Sequence, residues 1–278
     1  MSQDFGAPKL GKLEKEMEET LGGFFENLGR EAISFLESLG GMALMAWQTV
    51  RSFFKYKFPM VAFLQSCEFV GVRSFNLVSI VAIFTGMVLA LQFAVGLERF
   101  GLKIYVGQVV GVSIIRELGP VLTSLMVAAR VGSGIASELG SMVVTEQVLA
   151  IEALGANPVH KLVLPKVLAT TFMAPLLVIA ADVVGVLGGM WIAYIEAGVT
   201  PRYYLEQIQR TVSMDDLFSG LSKSIFFGFF IGVISCFQGL KTKGGTVGVG
   251  ESTTHAVVYS SLIVFISDFF LTKLFILF

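Results

Sequence analysis

Five blocks of mostly apolar residues, at 75–97, 106–136, 167–195, 217–239 and 256–277, constrain this chain more than any other feature. Each is close to the ~20 residues that a helix needs to cross a bilayer's hydrocarbon core. Soluble domains carry about 25% charged residues; this chain of 278 residues carries 15%, with 54% hydrophobic. The pattern predicts an all-α polytopic membrane protein with about five transmembrane helices. Gly119-Pro120 interrupts the second span and Pro175 lies within the third. Both are tolerable in lipid if neighbouring groups satisfy the freed carbonyls.

Two different segments precede the spans. Residues 1–45 form an acidic amphipathic extension, in which Leu13, Met17, Leu21, Phe24, Leu28, Ala32, Phe35 and Leu39 recur at helical steps among glutamates. Residues 46–73 mix Arg51, Lys55, Lys57 and Arg73 with Trp47, Phe53, Phe54, Tyr56, Phe58 and Phe63. Basic and aromatic residues together suit a helix lying in the headgroup layer, so an interfacial elbow is expected here, with 60–73 leading into the first span. The membrane domain is 74–278. Arg51, Lys55, Lys57, Arg73, Lys161, Lys166, Lys241 and Lys243 fall on one side of the predicted spans, against Arg99, Lys103, Arg202 and Arg210 beside five acids on the other, a moderate bias by which the positive-inside rule makes the first side cytoplasmic. The N-terminus is then cytoplasmic and, with an odd number of crossings, the C-terminus is outside. No signal peptide is expected, because the first residues are polar.

Several chemistries are excluded by the residues. No basic stripe with interleaved aromatics suggests nucleic acid. Cys67 and Cys236 are too few and too distant for a disulfide framework or a CxxC metal site, and both are expected to be buried. The two histidines, His160 and His255, stand near no nucleophile elbow, and no metal-ligand cluster is evident. No catalytic residue, metal or cofactor is therefore assigned. Gly245 to Ser252 has P-loop spacing, but Glu251 stands where the phosphate-binding lysine should be. A flexible glycine loop is the expectation. Gly107/Gly111, Gly185/Gly189 and Gly228/Gly232 have the GxxxG spacing of close helix contacts, most simply within one chain.

Two segments carry more information. Arg116 and Glu117 lie inside a predicted span, where charges are costly and pair or face a water-filled cavity. Adjacent helical residues point about 100° apart, so each is expected to find a partner elsewhere, with Arg130, Asp182, Lys223 and Asp268 as candidates. They serve either an ion-pair network or the handling of a substrate headgroup. Between the second and third spans, Thr145 is placed to cap a short helix that Gly155 and Asn157-Pro158 stop. Val148, Ile151 and Leu154/Gly155 form an apolar ridge flanked by Glu146, Gln147 and Glu152. Such a helix suits another protein's groove.

The runs Phe84-Thr-Gly-Met-Val-Leu-Ala-Leu-Gln92, Arg116-Glu-Leu-Gly-Pro-Val121, Ala129-Arg130-Val-Gly-Ser-Gly134, Glu138-Leu-Gly140, Thr145-Glu-Gln147, Ile151-Glu-Ala-Leu-Gly155 and Val247-Gly-Val-Gly250, with Thr253 to Val258 and Ser260-Ser261, occur in order. Over residues 60–278 the chain resembles the MlaE family of ABC permeases. That resemblance implies a homodimer in the bacterial inner membrane, each subunit having an elbow helix and five spans. It implies cytoplasmic ABC ATPases that bind ATP and dock on a coupling helix comprising Thr145, Glu146, Gln147, Ile151, Glu152, Leu154 and Gly155. It also implies an MCE-domain protein on the periplasmic face and phospholipid, or a related hydrophobic molecule, moved between inner and outer membranes. Leu89, Gln92 and Phe93 would line the lipid cavity, with Arg116 and Glu117 as further substrate-binding candidates. An ion-coupled secondary transporter using Asp182 and Asp268 is the alternative, and a membrane-embedded lipid enzyme is a third reading.

Overall fold

The computed structural model describes residue 33 and residues 36–55 and 58–277. The chain divides into two compact units, Met1–Ala46 and Trp47–Phe278. In the first, the described residues from 36 onward are helical, while the amphipathic repeat expected from Leu13 to Phe35 lies outside the described residues.

In the second unit all regular structure among the described residues is helical. Residues 47–55 are followed by α1 (Met60–Glu98), α2 (Lys103–Val144), α3 (Gln147–Ala153), α4 (Val159–Ala197), α5 (Pro201–Thr211), α6 (Met214–Leu240) and α7 (Gly245–Leu277). Five of these, α1, α2, α4, α6 and α7, are long and apolar enough to cross a membrane. The expected all-α polytopic fold with five spans is therefore present. At 42 and 39 residues, α2 and α4 are about 63 and 58 Å long, roughly twice the hydrocarbon thickness.

Three local expectations need correction. Residues 60–73 are not separated from the first span: α1 runs continuously through a π-turn at Glu68–Val72. An aromatic chain of edge contacts, Phe53–Phe58–Phe63–Phe172, ties the preceding segment to α1 and α4. Nor does Gly119-Pro120 break α2. A π-turn at Ile114–Leu118 passes directly into the helix beginning at Gly119, and the Arg116 carbonyl, which has no proline N–H to accept, receives the Lys223 ammonium at 3.4 Å. Finally, Gly245–Gly250 is the start of α7, not a loop. The turn lies just before it, with Gly244 and Gly245 both at positive φ.

Between lipid-embedded helices there is no hydrophobic driving force, so close packing of backbones has to supply the attraction. The glycines provide it inside the chain. A methyl group on Gly86 of α1 would collide with the Gly185 carbonyl oxygen of α4. Gly228 and Gly232 of α6 bear on Thr170 and Val167 of α4, and Gly107 and Gly111 of α2 bear on Tyr204 and Ile208 of α5. All three GxxxG pairs are thus used for intramolecular packing. Cys236 is buried as expected, but Cys67 is only half-buried because it lies on the outward side of α1 near its start.

Candidate coupling helix and intramembrane charge cluster

The charge cluster is assembled from three spans. Lys223 of α6 is wholly buried, with its ammonium 2.6 Å from Glu117 Oε2 and 3.1 Å from Asp268 Oδ1 of α7. It donates to Thr272 Oγ1 at 2.7 Å as well as to the Arg116 carbonyl. Thr272 in turn donates to Glu117 Oε2 at 3.2 Å. Arg116 Nη1 stands 3.7 Å from Asp216 Oδ1, and its Nε stands 3.8 Å from Glu117 Oε1. The expectation that Arg116 and Glu117 face apart fails on this last contact. They lie in a π-turn, whose five-residue repeat rotates each step by less than an α-turn does.

Of the partners expected for this pair, Lys223 binds Glu117 directly and Asp268 joins through Lys223. Arg130 does not take part; it donates to Ser74 Oγ at 2.8 Å and stacks over the Phe69 ring. Asp182 packs against Gly119, and its Oδ1 is buried without a hydrogen bond. Asp216 was not anticipated, although Ser213-Met-Asp-Asp216 before an apolar run is a capping-box signature. The cap is formed: Asp216 N donates to Ser213 Oγ at 3.2 Å, and Ser213 N and Oγ donate to Asp216 Oδ2 at 3.0 and 2.9 Å. Capping thus fixes one carboxylate oxygen and leaves the other toward Arg116. Glu117 and Asp268 also border an open groove walled by Phe265, Phe269 and Leu277, so the cluster is reachable from that side.

Leu89 and Phe93 of α1 pack against a buried cluster that includes Ala90, Val106, Val110 and Tyr204. Gln92 is exposed on another face of α1, in line with exposed Phe84, Val88 and Val95. No hydrogen bond or ion pair among the described residues joins Leu89, Gln92 and Phe93 to Arg116 and Glu117. They form two separate sets.

The short helix α3 lies between the end of α2 and the start of α4. Thr145 does not cap it. Its hydroxyl donates backward to the Ser141 carbonyl at 2.8 Å, and Glu146 takes the N-cap place in the left-handed region at φ 58°. The Thr145 and Glu146 N–H groups return to the Ser141 and Val143 carbonyls, and α2 ends at Val144 just before the left-handed Glu146. Termination is as expected: Gly155 adopts φ +75°, its N–H and that of Ala156 returning to the Glu152 and Ile151 carbonyls. Gln147 and Glu152 are exposed and Ile151 is half-buried. Leu154 of the expected ridge is 85% exposed, open to a partner's groove, and Leu149, absent from the expected set, is 60% exposed.

Residues 63–274 match the family model described as Permease MlaE. A probable ABC transporter permease protein of Rickettsia felis is 38% identical over 90% of this chain and 96% of its own length. A probable ABC transporter permease protein of Synechocystis is 42% identical over 76% and 80%. The intermembrane phospholipid transport system permease protein MlaE of Haemophilus influenzae is 32% identical over 90% and 97%. The five spans agree with what the motifs implied, and the chain belongs to the MlaE permease family.

Proposed function

We propose that this permease is the membrane half of an ATP-driven transporter that moves phospholipids between the inner and outer membranes. Two copies form the transmembrane unit, cytoplasmic ATPases dock on α3, and an MCE-domain protein sits on the opposite face. The observation that carries the reading is the surface of α3. Leu149 on the seven-residue helix and Leu154 at its C-cap are large and apolar, and this chain leaves both exposed between two spans. A partner's groove would cover them. Thr145, Glu146, Gln147, Ile151, Glu152 and Gly155 frame that surface. ATP is then bound and hydrolysed by the partner, and closure of the ATPases moves α3 and, through α2 and α4, the lipid path.

The name of the Haemophilus relative supports phospholipid as the substrate and intermembrane movement as the task. Under this reading the face carrying α3 and the N-terminus is cytoplasmic, in a bacterial inner membrane. Leu89, Gln92 and Phe93 contribute to the cavity at the dimer axis, and Arg116 and Glu117 handle headgroups from their groove. The deciding experiment is affinity purification of the tagged chain, paired with ATP-dependent transfer of fluorescent phospholipid between vesicles. ATPase subunits are expected to co-purify with the wild type and to be lost with Leu154→Asp. Transfer without ATP, or retention of the ATPase by Leu154→Asp, overturns the scheme. One observation favours a second reading: Asp182 has a buried, unbonded Oδ1 within a span, as an ion-coupled carrier requires. Gradient-driven uptake in vesicles lacking ATP would establish it.

A further inference from the structure

A polar pocket opens where the start of α1, the end of α2 and the start of α4 meet. Its volume is about 250 Å³, a little below the usual range for small-molecule sites. Lys161 and Lys166 of α4, Glu138 of α2 and Gln65 of α1 supply the polar groups, and Phe69 and Leu162 are part of an apolar floor. Lys166 is 13% exposed and pairs with Glu138 Oε2 at 2.6 Å. Lys161 is exposed and has no ion-pair partner among the described residues. The pocket therefore has one uncompensated cation.

The surrounding helices are distorted at this level. Phe69 lies in the π-turn Glu68–Val72, and Lys161 and Leu162 lie in the π-turn Val159–Val163. A third π-turn, Ala128–Gly132, packs behind, where Arg130 donates to the Phe69 carbonyl at 3.5 Å. Such insertions within helices concentrate at functional sites because they re-aim side chains at a cost in regularity. Here they turn Phe69 and two lysines of one helix end toward the same space.

We infer that this pocket binds the phosphate of an anionic membrane phospholipid, with Lys161 as its principal charge partner. Basic pockets between spanning helices at the membrane surface suit such headgroups. A soluble phosphate would find only one free cation, while a lipid also covers the apolar floor with its glycerol and upper acyl carbons. The inference rests on the membrane-spanning fold and not on the ATP-driven reading. Because α2 and α4 are the helices that carry α3, a lipid wedged between them sets the spacing on which α3 is held.

The test uses the full chain in detergent, measuring native-mass-spectrometry adducts and thermal stabilisation with phosphatidylglycerol, phosphatidylcholine, or soluble glycerol phosphate. Phosphatidylglycerol is expected to bind and stabilise, and the other two are not. Lys161→Ala should weaken that binding about fivefold, the effect of one lysine at a membrane surface, and Lys161→Glu should weaken it further. Lys161→Arg should retain it, as should Arg202→Glu, a charge reversal on the 91% exposed Arg202 of α5. Unchanged adducts in Lys161→Glu, or equal stabilisation by glycerol phosphate, would overturn the inference. Loss of ATP-driven transfer with intact lipid adducts would instead fault the transport reading alone.

Discussion

The Lys223 ammonium lies 2.6 Å from Glu117 Oε2, and the lysine side chain is wholly buried while the glutamate is 34% exposed. The pair is therefore asymmetric: one charge depends entirely on protein partners, and the other still reaches the groove. Removing Glu117 leaves Lys223 with Asp268 and Thr272, whereas removing Lys223 leaves two carboxylates facing each other across its vacated place.

Lys223→Met should for that reason cost more stability than Glu117→Gln. Breaking a buried pair from one side costs about 3–5 kcal/mol, and replacing both members by uncharged groups costs far less. The double variant Lys223→Met/Glu117→Gln is expected to unfold at a higher temperature than Lys223→Met alone. Thermal unfolding of the detergent-solubilised chain measures this. A double variant less stable than either single variant would show that the network is not organised around this pair.

Gly86→Ala should loosen the α1–α4 contact, since its methyl group meets the Gly185 carbonyl rather than a movable side chain. Gly250 offers the internal comparison. It lies in the first turns of α7 with no atom within 4 Å of an added Cβ, so Gly250→Ala should gain about 0.5–1 kcal/mol from helix propensity. Opposite shifts in unfolding temperature are expected from the same chemical change.

These two cases show what the sequence could and could not convey. The five spans were legible because twenty apolar residues have one physical meaning in a chain this poor in charge. Intramolecular use of the GxxxG pairs was legible as the simpler option, but Gly86 was not, as its partner is a backbone carbonyl on another helix. Arg116 and Glu117 stood out as charges in a span, and Lys223 and Asp268 were named with them. Their mutual contact is not legible from α-helical rotation, because both lie in a π-turn and periodicity carries no signature of one inserted residue. Asp216 went unnoticed because its capping role and its ion pair use different oxygens, and only the first role has a local sequence pattern. On α3, Leu149 falls outside the i, i+3 spacing of Val148, Ile151 and Leu154, so periodicity alone does not place it on the same exposed surface.

Tyr204 of α5 is fully buried, and its hydroxyl has no hydrogen-bond partner although it lies against Gly189. Burial pushes the phenol's ionisation upward, so the group stays neutral and its oxygen contributes packing alone. Tyr204→Phe is expected to be neutral or slightly stabilising, because an unsatisfied buried polar atom is removed. Tyr204→Ala should cost about 3–5 kcal/mol, as loss of a large buried aromatic does. A marked loss in Tyr204→Phe, measured by thermal unfolding, would reveal a water-mediated bond to this hydroxyl.

The last prediction concerns the ends of α3, where the backbone is left-handed on both sides, Glu146 at φ 58° and Gly155 at φ +75°. A residue with a Cβ pays about 1–2 kcal/mol there and glycine does not. Gly155→Val should therefore weaken the closed form of α3, and one to two kcal/mol corresponds to roughly a 5- to 30-fold change in an equilibrium. Amide exchange across Gln147–Ala153 should accelerate by that factor. Exchange in the spans should not change, because Gly155 has no atom within 4 Å of an added Cβ. Glu146→Gly relieves strain at the other end and should produce no such acceleration. If α3 has to be rigid to drive the spans, Gly155→Val will also lower ATP-dependent lipid transfer while leaving the unfolding temperature of the bundle unchanged. Equal exchange in all three proteins would mean that contacts beyond these two turns hold the helix in place.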